Sequence, residues 1–372
     1  MSTQTINKVP LLDLQAQYEP IKNEVIKAMT SVFDSKQFIQ GPKVDELESM
    51  IKDYCNVNHA IGVSSGTDAL IVSLMAMGIG HGDEVITSPF TFFSTAGSIH
   101  RVGATPVFID IEPESFNLDV SKIEAKITNK TKAIMPVHLF GQMADMSAIN
   151  QIAKAHNLFV IEDAAQAIGA KQTIAGKTYS AGSLGDVGCF SFFPSKNLGC
   201  CGDGGIVTTN DDEMAEKIRL FRTHGAKERY FHDFVGGNFR LDPLQAAVLC
   251  VKLPHLNRQH EGRRKNAEIY NNNLKNVTLP IEKEGNWMIY NQYTIRVNER
   301  EKLMAHLNHY NIGNAIYYPL PLHLQKCFEY LNYKAGDLPV SEQVAKEVLS
   351  LPVYSELNKD QLNYVIDKIN QF

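Results

Sequence analysis

One lysine of the chain stands in an unusual context. Lys196 lies in FSFFPSKNLGCCGDGG, which begins at Phe190 and places the lysine after an aromatic run and before Gly199 and Gly202. Most lysines keep their ammonium group in water. A lysine in a desolvated setting has a lowered pKa and becomes a nucleophile toward carbonyl groups, and glycines let the backbone approach a ligand closely. The stretch therefore predicts a reactive amine beside a bound molecule.

An acidic pair follows a different apolar run. In FVIEDAAQAIGA, Glu162 and Asp163 come directly after the apolar residues Leu158–Ile161. An acidic side chain there costs free energy unless a cation or hydrogen-bond donors are paired with it. Asp163 could hold a ring nitrogen protonated by supplying the opposite charge, or it could simply cap the next helix.

Two further segments could hold the anionic and flat parts of a ligand. In AIGVSSGTDALIVSLMAM a strand-like run ends at residues 64–67 and a helix begins. Free N–H groups and the helix dipole there predict a phosphate-binding site, although a plain N-cap has the same sequence. In SPFTFFSTA, one of Phe90, Phe92 and Phe93 could stack on a flat cofactor; the alternative is that at least two of the three simply fill the core.

Together these segments supply a phosphate-binding site, an aromatic ring for stacking, a carboxylate and an amine. The chain has no GxxxxGK[ST] motif and no well-placed GxGxxG motif. Their absence disfavours a nucleoside triphosphate or a dinucleotide as the ligand whose phosphate is bound. Pyridoxal 5'-phosphate requires all four groups. The residues therefore predict this cofactor, with Lys196 as the amine that binds its aldehyde.

Short apolar runs alternate with amphipathic segments over the first 210 residues, and these elements must position the reactive groups. Helix-like segments include Thr67–Met77 and Asp145–His156. Continuous apolar runs indicate strands buried on both faces of a mainly parallel sheet, whose ligands collect at the carboxyl ends of the strands. The candidate strands are 60–63, 84–87, 106–110, 132–138, 157–162, 187–193 and 204–209.

The pattern changes after Asn210. DEMAEKIRLFRTHG predicts a helix that a glycine ends, and the segment from Asp242 predicts two helical pieces bent at Pro254. Beyond about residue 276, YNQYTIRV and NAIYYPLPL read as strands, and EQVAKEVLSL and KDQLNYVIDKI as helices. We predict an α/β fold with a seven-stranded sheet sandwiched by helices, in a large cofactor-binding domain (1–250), and a smaller α+β domain (251–372).

Composition excludes several classes of protein. The chain has 372 residues and a formal net charge of −5, which argues against a nucleic-acid binder. The short basic cluster GRRK at 262–265 is expected to cap or solvate a helix. No run has the length of a membrane span or a signal peptide. Six cysteines without a CxxC pair predict reduced thiols, no metal site and a cytoplasmic protein.

The quoted segments, together with RTHG and GGNFRLDPLQAA, resemble the DegT/StrS family of sugar aminotransferases. The likeness extends from VPLLDL to SLPVY. It implies the aspartate aminotransferase-like fold (fold type I), with Lys196 bound to the cofactor and moving the proton, and Asp163 paired with the pyridine nitrogen. The other cofactor-binding residues that the resemblance implies are Gly66, Thr67, Phe92, Gln166, Ser191 and Asn238.

The resemblance also implies partners. Asn238 would reach the phosphate of a neighbouring subunit, which makes the protein a homodimer with shared active sites. Arg240 would grip a carboxylate of the amino donor L-glutamate. Tyr317, Tyr318 and His323 would line the site of a nucleotide-linked keto sugar.

The substrate that the resemblance favours is a 3-keto, N-acetylated sugar on UDP, used in making surface polysaccharide or lipopolysaccharide. Relatives that accept a uronic acid have HYP where this chain has Tyr317 in YYP. This departure leaves a neutral 3-keto sugar open, and dTDP-linked sugars and amination at C4 remain alternatives.

Two alternatives belong to other classes. One is a regulator that has kept the fold and the cofactor but no activity. The other is a lyase or a cysteine desulfurase-like enzyme, which would need a mobile reactive cysteine. Cys200 and Cys201 are instead expected to pack against the sheet or the cofactor loop.

Overall fold

The centre of the protein is the seven-stranded, mostly parallel sheet that the sequence predicts. The structure is a computed structural model that describes residues 8–372. The strands are β1 His59–Val63, β2 Glu84–Thr87, β3 Thr105–Phe108, β4 Thr131–Met135, β5 Phe159–Asp163, β6 Lys171–Ile174, β7 Lys177–Ser180, β8 Val187–Ser191, β9 Gly205–Thr209, β10 Ala226–Glu228, β11 Phe231–His232, β12 Asn286–Trp287, β13 Tyr293–Arg296 and β14 Val348–Leu351. All seven candidate strands of the first 210 residues are present, and they form this one sheet.

The helices account for most of the remaining regular structure. They are α1 Leu14–Tyr18, α2 Lys22–Ser35, α3 Pro42–Cys55, α4 Gly66–Ala76, α5 Ser94–Arg101, α6 Met146–His156, α7 Asp212–Arg222, α8 Pro243–Lys252, α9 Leu256–Asn273, α10 Arg300–His309, α11 Pro339–Glu347 and α12 Lys359–Asn370. The predicted bend at Pro254 is confirmed, because a short 3₁₀ turn, Leu253–His255, separates α8 from α9. Within the described range, no helix is long and apolar enough to cross a bilayer.

The order of the strands decides where the loops meet. The sheet runs β1-β9-β8-β5-β4-β2-β3, and β9 alone is antiparallel to its neighbours. The carboxyl ends of the other six strands therefore lie at one edge of the sheet. Gly205, the first residue of β9, pairs with both Val63 and Ser191, so β9 begins at that same edge.

Helices cover both faces of this sheet. Successive strand residues point to opposite faces, so Ala60 packs in one apolar cluster and Ile61 in another. The first cluster includes side chains of α3, α6 and α8, and the second includes side chains of α4, α5 and α7. The predicted helix–sheet–helix sandwich is confirmed, and it explains why most residues of the sheet strands are buried.

A separate apolar cluster organises the C-terminal part of the chain. It is built mainly from α9–α12, β13 and β14, and it also takes in Val9 and Phe140 from the N-terminal part. Val9 forms a bridge with Ile312. The division of the chain at 250/251 stays a prediction.

Two sequence predictions in this part are wrong. EQVAKEVLSL is not one helix, because α11 ends at Glu347 and Val348–Leu351 forms β14, which pairs with β13. NAIYYPLPL is not a strand, and only Ala315 bridges to Ser350. Pro319 and Pro321 have no N–H group to donate to a strand ladder.

The basic cluster at 262–265 also differs from its prediction. Arg263 is 4% exposed and its Nη1 donates to the carbonyls of Tyr290 and Asn291, at 3.1 and 3.3 Å. Arg264 pairs with Glu282. The cluster therefore ties α9 to the segment before β13 and does not simply solvate the helix.

Candidate active site

The loop that carries Lys196 is closed on itself by backbone hydrogen bonds. It links β8 to β9, and the Phe192 amide donates to Gly204 while the Cys200 amide donates to Phe192, both at 2.8 Å. A Cβ on Gly199 would lie 2.4 Å from the carbonyl oxygen of Pro194. Here glycine is needed for the loop to close, and the closed loop fixes Lys196 at the carboxyl edge of the sheet.

Lys196 is surrounded by protein but partly accessible from the cleft above this edge. Burial lowers the pKa of its ammonium group to about 8, against an opposing contribution from the negative charge of Asp163. An amine with this pKa is neutral in a useful fraction of molecules near neutral pH. The predicted desolvated lysine is therefore present, with Asp163 as its acidic neighbour.

The Asp163 carboxylate is buried and held by donors. Thr95 Oγ1 donates to its Oδ2 at 2.7 Å, and the Ala165 amide donates to Oδ1 at 3.3 Å. Burial raises the pKa of Asp163, while the Thr95 bond, the Ala165 bond and the charge of Lys196 lower it. Thr91 Oγ1 lies 3.0 Å from Thr95 Oγ1. Sequence reasoning missed these threonines, because the contact of Thr95 with Asp163 joins residues that lie 68 positions apart in the chain.

Glu162 has a structural role that its neighbour does not share. It is fully buried and accepts from the amides of Gly182, Leu184 and Gly185 at 2.7, 2.8 and 2.6 Å, and from His138 Nε2 at 2.8 Å. The Ala144 amide donates to His138 Nδ1. His138 is therefore a satisfied buried histidine and does not line the cleft.

The predicted phosphate-binding residues come together at the start of α4. Ser65 caps the helix by accepting from the Asp68 amide at 3.0 Å, and Thr67 Oγ1 lies 2.7 Å from Ser94 Oγ. A Cβ on Gly66 would lie 2.6 Å from the Cβ of Ser191. Gly66, Thr67 and Ser191 thus form a narrow cradle at the positive end of a helix.

The three phenylalanines after β2 have different surroundings. Phe90 is fully buried, whereas Phe92 and Phe93 are 58% and 48% exposed, and Phe93 stacks on Phe328 with ring centroids 5.7 Å apart. The alternative in which at least two of them fill the core is therefore not supported, because Phe90 alone of the three is buried. Phe92 lies 6.3 Å from the ring of Tyr318 and keeps an open face.

Gln166 and Tyr318 complete the same wall of the cleft. Gln166 Nε2 donates to the Tyr318 hydroxyl at 3.1 Å, and Gln166 Oε1 accepts from the Phe140 amide at 2.7 Å. Burial and the charge of Asp163 raise the pKa of the Tyr318 hydroxyl. The structure therefore brings Phe92, Gln166 and Tyr318 together near Asp163.

The remaining predicted residues lie at the margins. The Ser64 amide donates to the Phe239 carbonyl at 2.9 Å, which places Asn238–Arg240 beside the phosphate cradle. Asn238 is exposed, and Arg240 Nε is buried without a hydrogen-bond partner among the described residues.

His323, unlike Asn238 and Arg240, is held in the interior of the protein. Its ring is 2% exposed, its Nε2 lies 3.2 Å from Glu342 Oε1, and it packs edge-on to Tyr333. These contacts are structural, so they give no support to its predicted place on the sugar site.

The two cysteines near Lys196 have different surroundings. Cys200 is buried, its thiol donates to the Phe192 carbonyl at 2.9 Å, and burial raises its pKa to about 11. Cys201 is exposed, and its amide is held by Gln245 at 2.8 Å. The packing predicted for Cys200 is therefore present and that for Cys201 is not; the arrangement does not favour the desulfurase alternative, which needs a mobile reactive thiol.

Known proteins resemble this chain along most of its length. The sequence model of the DegT/DnrJ/EryC1/StrS aminotransferase family matches residues 19–370. The chain is 53% identical over 369 residues to a Geobacillus stearothermophilus protein named pleiotropic regulatory protein, with 98% of each chain covered. It is 44% identical over 356 residues to the UDP-N-acetyl-3-dehydro-alpha-D-glucosamine 3-aminotransferase of Acidithiobacillus ferrooxidans, with 95% of each covered.

Solved structures share the fold. DesV from S. venezuelae superposes with a TM-score of 0.95 at 39% identity, with 98% of each chain covered. NtdA from Bacillus subtilis, solved with bound cofactor PMP, superposes with a TM-score of 0.91 at 32% identity, covering 100% of this chain and 86% of that one.

Proposed function

The chain belongs to the DegT/DnrJ/EryC1/StrS aminotransferase family, and from this premise we propose that it moves an amino group from L-glutamate to the C3 keto group of a UDP-linked N-acetyl sugar. It is a transaminase. The observation that carries the proposal is the pairing of a desolvated Lys196 with a buried, hydrogen-bonded Asp163 at the edge where six strands end. The reaction would serve amino-sugar biosynthesis.

The cleft fits pyridoxal 5'-phosphate on three observations. The cradle between Gly66 and Ser191 leaves no room for a side chain at position 66, so backbone N–H groups there can face a phosphate. Phe92 keeps an open ring face. Asp163 has a buried carboxylate that suits a protonated ring nitrogen. Lys196, Asp163, Phe92, Gln166, Gly66, Thr67 and Ser191 would hold the cofactor, which supplies an electron sink when bound.

The chemistry of the chain itself depends on the proton at Lys196 Nζ. Burial keeps this amine ready to lose its proton near neutral pH, so it can take a proton from the α-carbon of the amino donor and return it within the site. A positioned base of this kind contributes roughly 10²–10⁴-fold to the rate. Thr95 holds Asp163 in place while the proton moves.

Substrate selection is proposed for the margins of the cleft. Arg240 Nε has no hydrogen-bond partner within residues 8–372, and the guanidinium group would bind a carboxylate of the donor. Tyr317 and Tyr318 offer aromatic faces and hydroxyls to the sugar. The similarity to a UDP-sugar 3-aminotransferase favours UDP and C3, while C4 amination or a dTDP-linked sugar is the alternative.

A homodimer with shared sites is part of the proposal. Asn238 is exposed beside the cradle, and the nearby hairpin β10–β11 exposes several apolar side chains, including Tyr230 and Phe231. An exposed apolar patch of this kind is typical of a protein–protein interface.

A regulatory role is a second candidate, because the Geobacillus stearothermophilus relative is named a pleiotropic regulatory protein. The complete set of lysine, aspartate and phosphate cradle favours catalysis, since a buried lysine is costly to keep without a use. The two roles are compatible in one protein.

A panel of UDP- and dTDP-linked keto sugars, each incubated with L-glutamate and analysed by mass spectrometry, tests the proposal. We expect the UDP-linked 3-keto N-acetyl sugar to exchange its keto oxygen for an amino group faster than the other sugars. Amination of no sugar in the panel, with the cofactor bound, would refute the proposed function.

A further inference from the structure

A small cavity lies directly behind the loop that carries Lys196. Its volume is about 50 Å³, and its lining includes Ser195, Arg263, Asn291, Gln292 and Tyr317. Ser195 adjoins Lys196 in the chain, and Tyr317 adjoins Tyr318 of the cleft wall. Asn197 Nδ2 donates to the Ile289 carbonyl at 3.4 Å, which fastens the lysine loop to the segment that bears Asn291.

The polar side chains of this cavity have unused hydrogen-bonding groups. Asn291 is 7% exposed, and both of its side-chain polar atoms are buried without a partner among the described residues. Gln292 Oε1 is in the same position. Buried polar groups without partners are rare in native proteins and call for an occupant.

Arg263 adds a positive charge to these groups. Its described hydrogen bonds are all made by Nη1, to the carbonyls of Tyr290 and Asn291. Glu356 is the acidic group that acts on it through space, but Arg263 is in no ion pair within residues 8–372, and burial lowers its pKa to about 10. A buried guanidinium without a carboxylate is costly, so an anion would stabilise it.

The size of the cavity narrows the choice of anion. A volume of about 50 Å³ holds a few water molecules, since one water needs roughly 10–15 Å³ of such a cavity. That space suits a carboxylate group and is too small for a nucleoside diphosphate. The phosphate of the cofactor has its own cradle at Gly66.

We propose that Arg263, Asn291 and Gln292 form a carboxylate-binding pocket that holds one of the two carboxylates of the amino donor. The inference rests on the proposed use of L-glutamate, whose second carboxylate is left for Arg240. The pocket makes a dicarboxylic amino acid the preferred donor, because a neutral or monocarboxylic amino acid would leave the Arg263 charge unpaired.

Titration calorimetry with glutarate measures this pocket without turnover, because glutarate has both carboxylates and no amino group. We expect the wild-type protein to bind glutarate and Arg263→Gln to bind it about 10- to 100-fold more weakly, the loss of a charge-assisted hydrogen bond. Arg264→Gln is the matched control, because Arg264 pairs with Glu282 in a different cavity, and its affinity should not change.

A second variant removes the pocket without disturbing backbone contacts. Arg263 also supports two carbonyls, so its replacement could loosen the fold. The Asn291 side chain makes no hydrogen bond with the part of the chain that the structure describes. Asn291→Leu should therefore keep the thermal unfolding temperature while weakening glutarate binding at least fivefold. Equal affinity in the wild type and Asn291→Leu, or no binding by the wild type, would overturn the inference.

Reactions with each substrate alone show whether the carboxylate that the pocket binds belongs to the amino donor or to the sugar. Bleaching of the cofactor absorbance by L-glutamate in the absence of sugar should need a higher glutamate concentration in Asn291→Leu, with the KM of a neutral keto sugar unchanged. An unchanged response to glutamate together with weaker use of a uronic acid sugar would overturn the assignment to the donor. A wild-type protein that binds glutarate here but takes no nitrogen from glutamate would refute the proposed function alone.

Discussion

Two buried ionisable groups of opposite sign dominate at the scale of single residues. Lys196 lies in a setting that disfavours its charged form, and burial raises the pKa of Asp163 against the opposing effect of its hydrogen bonds and of the positive charge of Lys196. The balance between burial and hydrogen bonding therefore decides the protonation state of each.

The pKa of Lys196 predicts how fast the apoprotein captures pyridoxal phosphate. Only the neutral amine reacts, and with a pKa of about 8 about one tenth of the molecules carry it at pH 7. Between pH 7 and 8 the capture rate should rise several-fold, and it should level off above about pH 9. Stopped-flow absorbance measures the rate, and a rise that continues to pH 10 would show an unperturbed lysine.

The Thr95 hydroxyl should be essential for keeping the Asp163 carboxylate ionised. Thr95→Val removes the 2.7 Å donor to Oδ2, so the pKa of Asp163 should rise further. We expect turnover to fall by about 10- to 100-fold, since a hydrogen bond to a charged group contributes roughly 1.5–3 kcal/mol. Steady-state kinetics across pH should show the loss to be smaller at high pH, where Asp163 is ionised again.

Thr91→Val is the matched control for that variant. Thr91 contacts Thr95 and forms no hydrogen bond with the carboxylate, so its loss should be much smaller. A Thr95→Val enzyme with normal turnover would show that Asp163 does not depend on this bond.

Single residues also show where sequence reasoning succeeds and fails. Lys196 and Asp163 could be predicted because a charge beside an apolar strand is a local signal. Thr95 could not be predicted, because its partner Asp163 lies 68 residues away in the chain. Arg263 could not be predicted either, because the cavity that it lines is formed only when the chain packs. The burial of His323 also depends on packing, which its sequence motif does not show.

At the scale of elements, the candidate active site is formed by residues at the carboxyl ends of strands. The cradle, Phe92, Asp163 and Ser191 follow or end four strands that run in one direction. Their meeting at one edge follows from the topology alone, which is why separate weak signals in the sequence could be combined.

The close approach of α4 to β8 predicts the effect of a methyl group at position 66. In Gly66→Ala the new Cβ would lie 2.6 Å from Ser191 Cβ, so the cradle must open. We expect the affinity for pyridoxal phosphate to fall about tenfold or more, as overpacking costs roughly 1–3 kcal/mol. Fluorescence titration measures the affinity.

Gly80→Ala supplies the comparison, because its Cβ would lie 3.4 Å from the Val102 carbonyl oxygen. It should leave the cofactor affinity unchanged. If Gly66→Ala also bound the cofactor normally, the phosphate would have to lie elsewhere.

Elements in the C-terminal part were harder to predict than those of the sheet. Val348–Leu351 continues a helical pattern in the sequence, yet it forms β14 because its partner β13 lies more than 50 residues earlier. Pairing over such distances overrides local propensity. The sheet strands were predictable because each contains a short apolar run in the local sequence.

At the scale of the whole molecule, the hairpin β10–β11 and the residues after it expose large apolar side chains that a single chain leaves uncovered. Phe231 and Val235 are 70% and 90% exposed. Exposure of such side chains is costly in water, and the hairpin lies close in sequence to Asn238. These observations support the proposed homodimer with shared sites.

The double variant Phe231→Ser/Val235→Ser should shift the protein from dimer to monomer and lower its activity in parallel. Light scattering after gel filtration measures the mass at several concentrations. Ile281→Ser removes an exposed apolar side chain elsewhere and should leave the mass unchanged. A fully active dimer in the double variant would place the interface on another surface.

The most direct test of the account is to find the amine that binds the cofactor. The holoprotein is reduced with borohydride, digested and mapped by mass spectrometry. We predict that the label lies on the peptide containing Lys196. A label on another lysine, such as the buried Lys252, or no labelled peptide at all, would contradict the account.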